Sequence, residues 1–164
     1  MFTINRLNHA VLWVRDANAA LDFYRDVLGF TVVESIEGRA HFLRASGSDN
    51  HHDLGLFGIG PAAPPPTRGE RVGLYHLAWE VATLPDLAHA LVDLANAGAL
   101  TGQSDHGSSL SLYAEDPDGN QFEVFWLVPR EEWETRGFGT RPLDLEGELR
   151  RRGFDPIDID AITR

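Results

Sequence analysis

The sequence predicts an α+β fold made of two βαβββ repeats that form a curved mixed sheet around a metal-binding cleft, and three observations carry that prediction. Leu7-Asn8-His9-Ala10-Val11-Leu12-Trp13-Val14 lines up with Leu74-Tyr75-His76-Leu77-Ala78-Trp79-Glu80-Val81, with leucine, histidine and valine in register and a tryptophan in each. Each stretch is followed by an amphipathic helical pattern and then by short runs of strand character, the sign of a duplicated supersecondary unit. Between them, Gly60 to Gly69 holds Pro61, Pro64, Pro65 and Pro66, a stiff connector that cannot enter a sheet interior. The repeats are therefore placed at 5–60 and 71–128 within a domain spanning 1–128, with a charged tail over 129–164.

In chain order, Arg6 to Val14 is a strand with His9, Val11 and Trp13 on one face and Ala10, Leu12 and Val14 on the other. Both faces are mostly apolar, which predicts burial on two sides. Ala17 to Leu28 is a helix, because Ala20, Leu21, Tyr24, Val27 and Leu28 recur at helical spacing. Asp16 or Asn18 stands where its cap belongs, and Gly29 ends it. Strands follow at Phe30 to Glu37, His41 to Ala45 and Asp53 to Ile59. The second repeat reads as a strand at Val72 to Val81 and a helix at Leu84 to Ala97, with Pro85 in its first turn and Gly98 as its stop. A weak strand pattern follows around Ala99 to Gln103. Ser109 to Ala114 and Gln121 to Val128 form a hairpin around Asp116-Pro117-Asp118-Gly119-Asn120, residues that suit a tight turn. The tail, with its dense charge, is expected to be partly helical or partly disordered, lying on the domain or on a partner subunit.

The chain has 164 residues, 43% hydrophobic content, no cysteine and a formal net charge of −11. That acidity argues against nucleic acid or an anionic membrane as a partner. Without cysteine there is no disulfide framework, and a metal site has to use histidine and carboxylate. No run approaches the ~20 apolar residues of a membrane span, and no basic leader precedes an apolar stretch. A soluble cytoplasmic protein is expected.

The chemistry starts from Glu123, a carboxylate set among Phe122, Val124, Phe125 and Trp126. A charge in such surroundings is costly unless paired or bound to a metal. His9 and His76 hold the same place in the two repeats. Two neutral imidazoles and one carboxylate make the facial triad of non-haem Fe(II) sites, which leaves the opposite positions open. A net charge of about +1 then remains on Fe(II), enough to take an anionic chelate beside O₂. The metal ligands are thus expected to be His9, His76 and Glu123. His41, within a strand, and His89, on the second helix, are read as non-functional.

Leu7 to Leu12, the helix segment Ala20 to Phe30, Tyr75-His76-Leu77-Ala78-Trp79 and the Asp116 to Asn120 turn followed by Glu123 together resemble the vicinal oxygen chelate superfamily. That superfamily includes glyoxalase I, fosfomycin-resistance and bleomycin-binding proteins, and type I extradiol dioxygenases. The resemblance covers about residues 5 to 128. Three further segments resemble one-domain, catechol 2,3-dioxygenase-like members. Asn50-His51-His52-Asp53-Leu54 resembles the strand start that carries their acid/base histidine, here His52. Ser104-Asp105-His106-Gly107 resembles their Asp-His-Gly segment. Tyr113 stands ten positions before Glu123, as their active-site tyrosine does. In the longer two-domain enzymes a further histidine precedes the tyrosine by nine positions; Ser104 stands there, and His106 matches the one-domain form. The resemblance therefore implies Fe(II)-dependent ring cleavage of a catechol-type aromatic diol by O₂, with His52, His106 and Tyr113 catalytic. It also implies a homo-oligomer, a dimer or larger. Mn(II) is an alternative metal, or Ni or Zn if the chemistry is glyoxalase-, lyase- or epimerase-like. A non-catalytic drug-binding module is the remaining alternative. Glyoxalase I takes a fourth ligand, usually Glu, from the last strand of the first repeat, and Asp53-Leu54-Gly55-Leu56 has no Glu.

Overall fold

The computed structural model describes residues 1–67, 69 and 72–155. It divides into two compact units, Met1–Pro65 and Pro66–Arg164. Each holds one βαβββ repeat.

In the first unit, β1 (Ala10–Val14) leads to α1 (Ala17–Asp26), then β2 (Thr31–Ile36), β3 (Ala40–Arg44) and β4 (Leu54–Gly58). The sheet order is β1-β4-β3-β2, with β1 parallel to β4 and the other pairs antiparallel. Asp16 is the helix cap: its carboxylate accepts from the Asn18 and Ala19 amides at 2.8 and 3.3 Å. Such a cap satisfies amides that have no partner inside the helix. Gly29 follows with φ +70°, a conformation costly for any residue with a Cβ. Ala17, Ala20 and Tyr24 of α1 are buried, as are Leu43, Leu54 and Leu56 on the sheet. Each large side chain so buried contributes about 1.5–3 kcal/mol relative to exposure.

The expectation that β1 is buried on two sides does not hold. Leu12 and Val14 are buried, whereas Val11 and Trp13 are 50% and 65% exposed. Within the unit, α1 covers only one face of the sheet, so the other apolar row stays open.

In the second unit, β5 (Leu77–Val81), α2 (Leu84–Asn96), β6 (Leu100–Asp105), β7 (Ser109–Glu115) and β8 (Gln121–Leu127) repeat the pattern, in the order β5-β8-β7-β6. Thr83 and Asp86 form a capping box, with Asp86 N–H donating to Thr83 Oγ1 at 3.2 Å and Thr83 N–H to Asp86 Oδ2 at 3.1 Å. Leu84, Leu87, Ala88, Leu91 and Leu94 form its buried stripe. β6 runs to Asp105, further than its weak pattern predicts; its pairing with β7 across Gln103–Leu112, Ser104–Ser111 and Asp105–Leu110 supplies what composition did not. The hairpin turn is held by the buried Asp116, whose Oδ1 accepts from the Asp118 and Asn120 amides, both at 2.9 Å.

His9 and His76 both stand just before the strands expected to contain them, β1 and β5. The described part of the tail packs within the second unit. It has a 3₁₀ turn at Arg130–Glu132, α3 (Trp133–Arg136) and α4 (Leu145–Arg151), with Leu145 and Leu149 buried. Residues 156–164 lie outside the described residues. No described helix is long and apolar enough to cross a membrane.

Candidate metal centre

The hairpin register decides what Glu123 meets. Glu123 on β8 lies directly opposite Tyr113 on β7 and beside Ala78 on β5. Opposed residues project to the same face, so the hairpin presents a phenol and a carboxylate together. Across the parallel pair, His76 reaches the same face from the start of β5, with Nε2 3.1 Å from Glu123 Oε2. That spacing fits a metal. Two donors in adjacent positions on an octahedral ion, each bound at about 2.1 Å, lie about 3 Å apart.

Tyr113 Oη is 2.7 Å from His106 Nε2. Burial, followed by the nearby charges of Glu123 and Tyr75, pushes the Tyr113 phenol above its usual range. It therefore keeps its proton at neutral pH and can donate it in a hydrogen bond. His76, Glu123, Tyr113 and His106 thus line one face of the second sheet.

The first unit groups His9 with His52, their rings 4.6 Å apart. Burial first, then the neighbouring His9 and His51, lowers the His52 pKa below the ordinary imidazole value, against the opposing pull of Asp53 and Glu34. His52 is neutral near pH 7, as a proton acceptor must be. Phe42 meets His52 edge-on at 5.1 Å and Phe57 at 5.7 Å, and Phe57 meets Trp13 at 5.8 Å. An aromatic cluster therefore runs up to the His52 ring. His51 is exposed, with Nδ1 3.0 Å from His52 Nδ1.

A relay that sequence reasoning missed fixes His9. The buried Asp53 carboxylate accepts from Ala45 N–H at 2.9 Å, Ser48 Oγ at 2.8 Å and Asn50 Nδ2 at 2.7 Å. A carboxylate only accepts, so the Asn50 amide must turn its Nδ2 toward it. Asn50 Oδ1 then accepts from Asn8 Nδ2 at 3.1 Å, and Asn8 Oδ1 is left to accept from His9 Nδ1, 2.9 Å away. The neutral His9 ring thereby carries its proton on Nδ1 and keeps the Nε2 lone pair free, the arrangement a metal-ligating histidine requires. The Asp53 carboxylate is thus committed to this loop.

Among the described residues, no group of three or more histidine, aspartate or glutamate side chains is gathered about one point. The structure brings together His76 with Glu123 in one unit and His9 with His52 in the other. His41 is a satisfied core histidine, bonded to Ser35 Oγ at 2.8 Å and Asn18 Oδ1 at 2.9 Å, and His89 is exposed on α2.

Residues 6–124 match the family described as the Glyoxalase/Bleomycin resistance protein/Dioxygenase superfamily, to which the chain belongs. A catechol-2,3-dioxygenase of Bacillus subtilis is 31% identical over 152 residues, covering 90% of this chain and 52% of the relative. A biphenyl-2,3-diol 1,2-dioxygenase of Rhodococcus globerulus is 36% identical over 120 residues, covering 73% of this chain and 62% of the relative. This chain thus spans only about half to three-fifths of the length of these relatives. A solved glyoxalase/dioxygenase from Nostoc punctiforme superimposes with a TM-score of 0.63 at 21% identity, over 76% of this chain and 92% of that one, a likeness of fold.

Proposed function

We propose that the chain is a non-haem Fe(II) extradiol dioxygenase that opens the ring of a catechol-type diol with O₂, with His9, His76 and Glu123 as metal ligands. The observation that carries this reading is the His76 Nε2 to Glu123 Oε2 distance of 3.1 Å beside the Tyr113–His106 pair. The relatives named as dioxygenases of aromatic diols point the same way.

Fe(II), when bound, supplies positions at which the diol and O₂ are held together and electrons pass between them. The residues of the chain do the rest. Glu123 supplies the one anionic ligand. His9 and His76 bind as neutral rings, and the Asn8–Asn50–Asp53 relay keeps the His9 lone pair exposed. Tyr113, its proton held firmly, donates a hydrogen bond to an oxygen of the diol. His52, neutral at pH 7, takes a proton from the diol hydroxyl and returns it when the ring opens. Phe42, Phe57 and Trp13 offer apolar surface to an aromatic ring.

The test is anaerobic loading with Fe(II), followed by O₂ uptake across a panel of catechols. Uptake matched by a yellow ring-fission product, and dependent on Fe(II), is the expected result. No uptake with any diol on the panel would sink the proposal. Removing a positioned acid/base usually costs ~10²–10⁴-fold, so His52→Ala should lower kcat by that factor while leaving Fe(II) content unchanged. Unaltered turnover would remove His52 from its assigned role.

A further inference from the structure

We propose that Thr140, carried on the C-terminal segment 136–141, is a positioning residue that donates to His106 Nδ1 and so leaves Tyr113 free to donate to substrate. The matched family region ends at residue 124, so this segment lies beyond it.

The segment is built onto the Asp105-His106-Gly107 turn by several independent contacts. Asp105 and Arg141 exchange backbone hydrogen bonds in both directions at 2.9 Å, a one-residue antiparallel bridge. Arg136 Nη2 donates to Asp105 Oδ2 at 3.1 Å. Gly107 has φ +84°, and a Cβ there would stand 2.0 Å from the Gly137 carbonyl oxygen, so the two backbones touch where a side chain would part them. Within the turn, Gly107 N–H donates to Asp105 Oδ1 at 2.6 Å and His106 N–H to Ser109 O at 2.9 Å. This framework sets Thr140 Oγ1 3.3 Å from His106 Nδ1, while His106 Nε2 lies 2.7 Å from Tyr113 Oη.

The direction of the relay follows from counting protons, and rests on the reading of Tyr113 as a donor to the diol. A phenol has one proton. If Tyr113 gives it to substrate, its oxygen must accept from His106, and Nε2 must carry the hydrogen. In a neutral imidazole Nδ1 is then a bare acceptor, and the group facing it has to donate. Thr140 Oγ1–H is that donor. The order is Thr140 to His106, His106 to Tyr113, Tyr113 to diol. With the ring in its other tautomer, Tyr113 would spend its proton on His106 and offer the diol only a lone pair.

The test uses the full chain carrying Thr140→Val, which keeps the shape but removes the hydroxyl, and Thr140→Ser, which restores it. Long-range ¹H–¹⁵N spectra of the imidazoles, on protein loaded with Zn(II) to keep the signals sharp, read the tautomer directly. The unsubstituted chain and Thr140→Ser should show His106 as the Nε2–H form; Thr140→Val should show a shift toward the Nδ1–H form. With Fe(II), Thr140→Val should lose roughly tenfold in kcat/KM on a catechol, the size expected of an outer positioning partner, and Thr140→Ser should regain most of it. A His106 spectrum identical in the unsubstituted chain and Thr140→Val overturns the proposal, as does full activity in Thr140→Val. An unsubstituted chain that takes up no O₂ but shows the expected tautomers would overturn the dioxygenase reading and leave the Thr140–His106 contact standing.

Discussion

Glu123→Ala is expected to abolish Fe(II) retention and to lower kcat/KM by at least ~10³-fold, the loss of several kcal/mol of metal-derived stabilisation. Glu123 is the single anion in the proposed ligand set. Its side chain is only 12% exposed, and one of its oxygens lies 3.1 Å from His76 Nε2. Two neutral imidazoles alone hold a hard divalent ion poorly, because the carboxylate supplies the charge that repays dehydration. Folding should be little affected, since removing a largely buried carboxylate also removes the cost of burying it. Metal analysis of the purified variant, with denaturant unfolding as a control, measures both. A variant that keeps one equivalent of Fe(II) would take Glu123 out of the ligand set. Chelation should act in parallel, silencing the unsubstituted protein while leaving the residual rate of Glu123→Ala unchanged.

The fold was legible where the signal is local. Gly29 and Gly98 mark the α1 and α2 stops, both with φ of about +65 to +70°, and the Asp16 and Thr83 caps lie within three residues of the amides they serve. The hairpin could be read because its turn residues are local, whereas the pairing of Tyr113 directly opposite Glu123 is seen in the strand register. What was not legible depends on distant pairs. The Asn8–Asn50 contact spans 42 residues and Thr140–His106 spans 34; no periodicity announces either. The open row of Val11 and Trp13 was missed for a different reason. An apolar alternation says which side chains avoid water, not whether the unit has an element to cover them. Among the described residues of the tail the dense charge is paired, and Leu145 and Leu149, one helical turn apart, give α4 its buried face.

That pairing centres on Glu148, and Glu148→Gln is expected to destabilise the protein by about 3–5 kcal/mol at neutral pH, the cost of breaking a buried ion pair from one side. Glu148 is 2% exposed. Arg136 Nη1 donates to both its oxygens at 3.2 and 3.1 Å, Arg152 Nε donates to Oε1 at 2.8 Å, and Arg151 reaches Oε2. Burial alone would raise its carboxyl pKa, but the hydrogen bonds from Arg151, Arg136 and Arg152 prevail and hold it at about 2, against an ordinary 4.5. Linkage converts that difference into about 3 kcal/mol, in agreement with the ion-pair cost. Because the folded-state pKa is depressed, this stabilisation is fully present above about pH 4.5 and is lost as the pH falls toward 2. Denaturant unfolding at pH 7 should therefore separate the two proteins by several kcal/mol, and their curves should converge between about pH 4.5 and 2, since glutamine has no proton to gain. A difference under about 1 kcal/mol at pH 7, or curves that stay parallel down to pH 2.5, would show that the three arginines are satisfied without Glu148. The consequence reaches the site. Arg136 is shared between Glu148 and Asp105, at 3.1 Å to each carboxylate, so an arginine released by Glu148→Gln also loosens the turn that carries His106. Loss of stability in this variant should therefore come with the same His106 tautomer shift as Thr140→Val, from a position where the side chain touches neither His106 nor Tyr113.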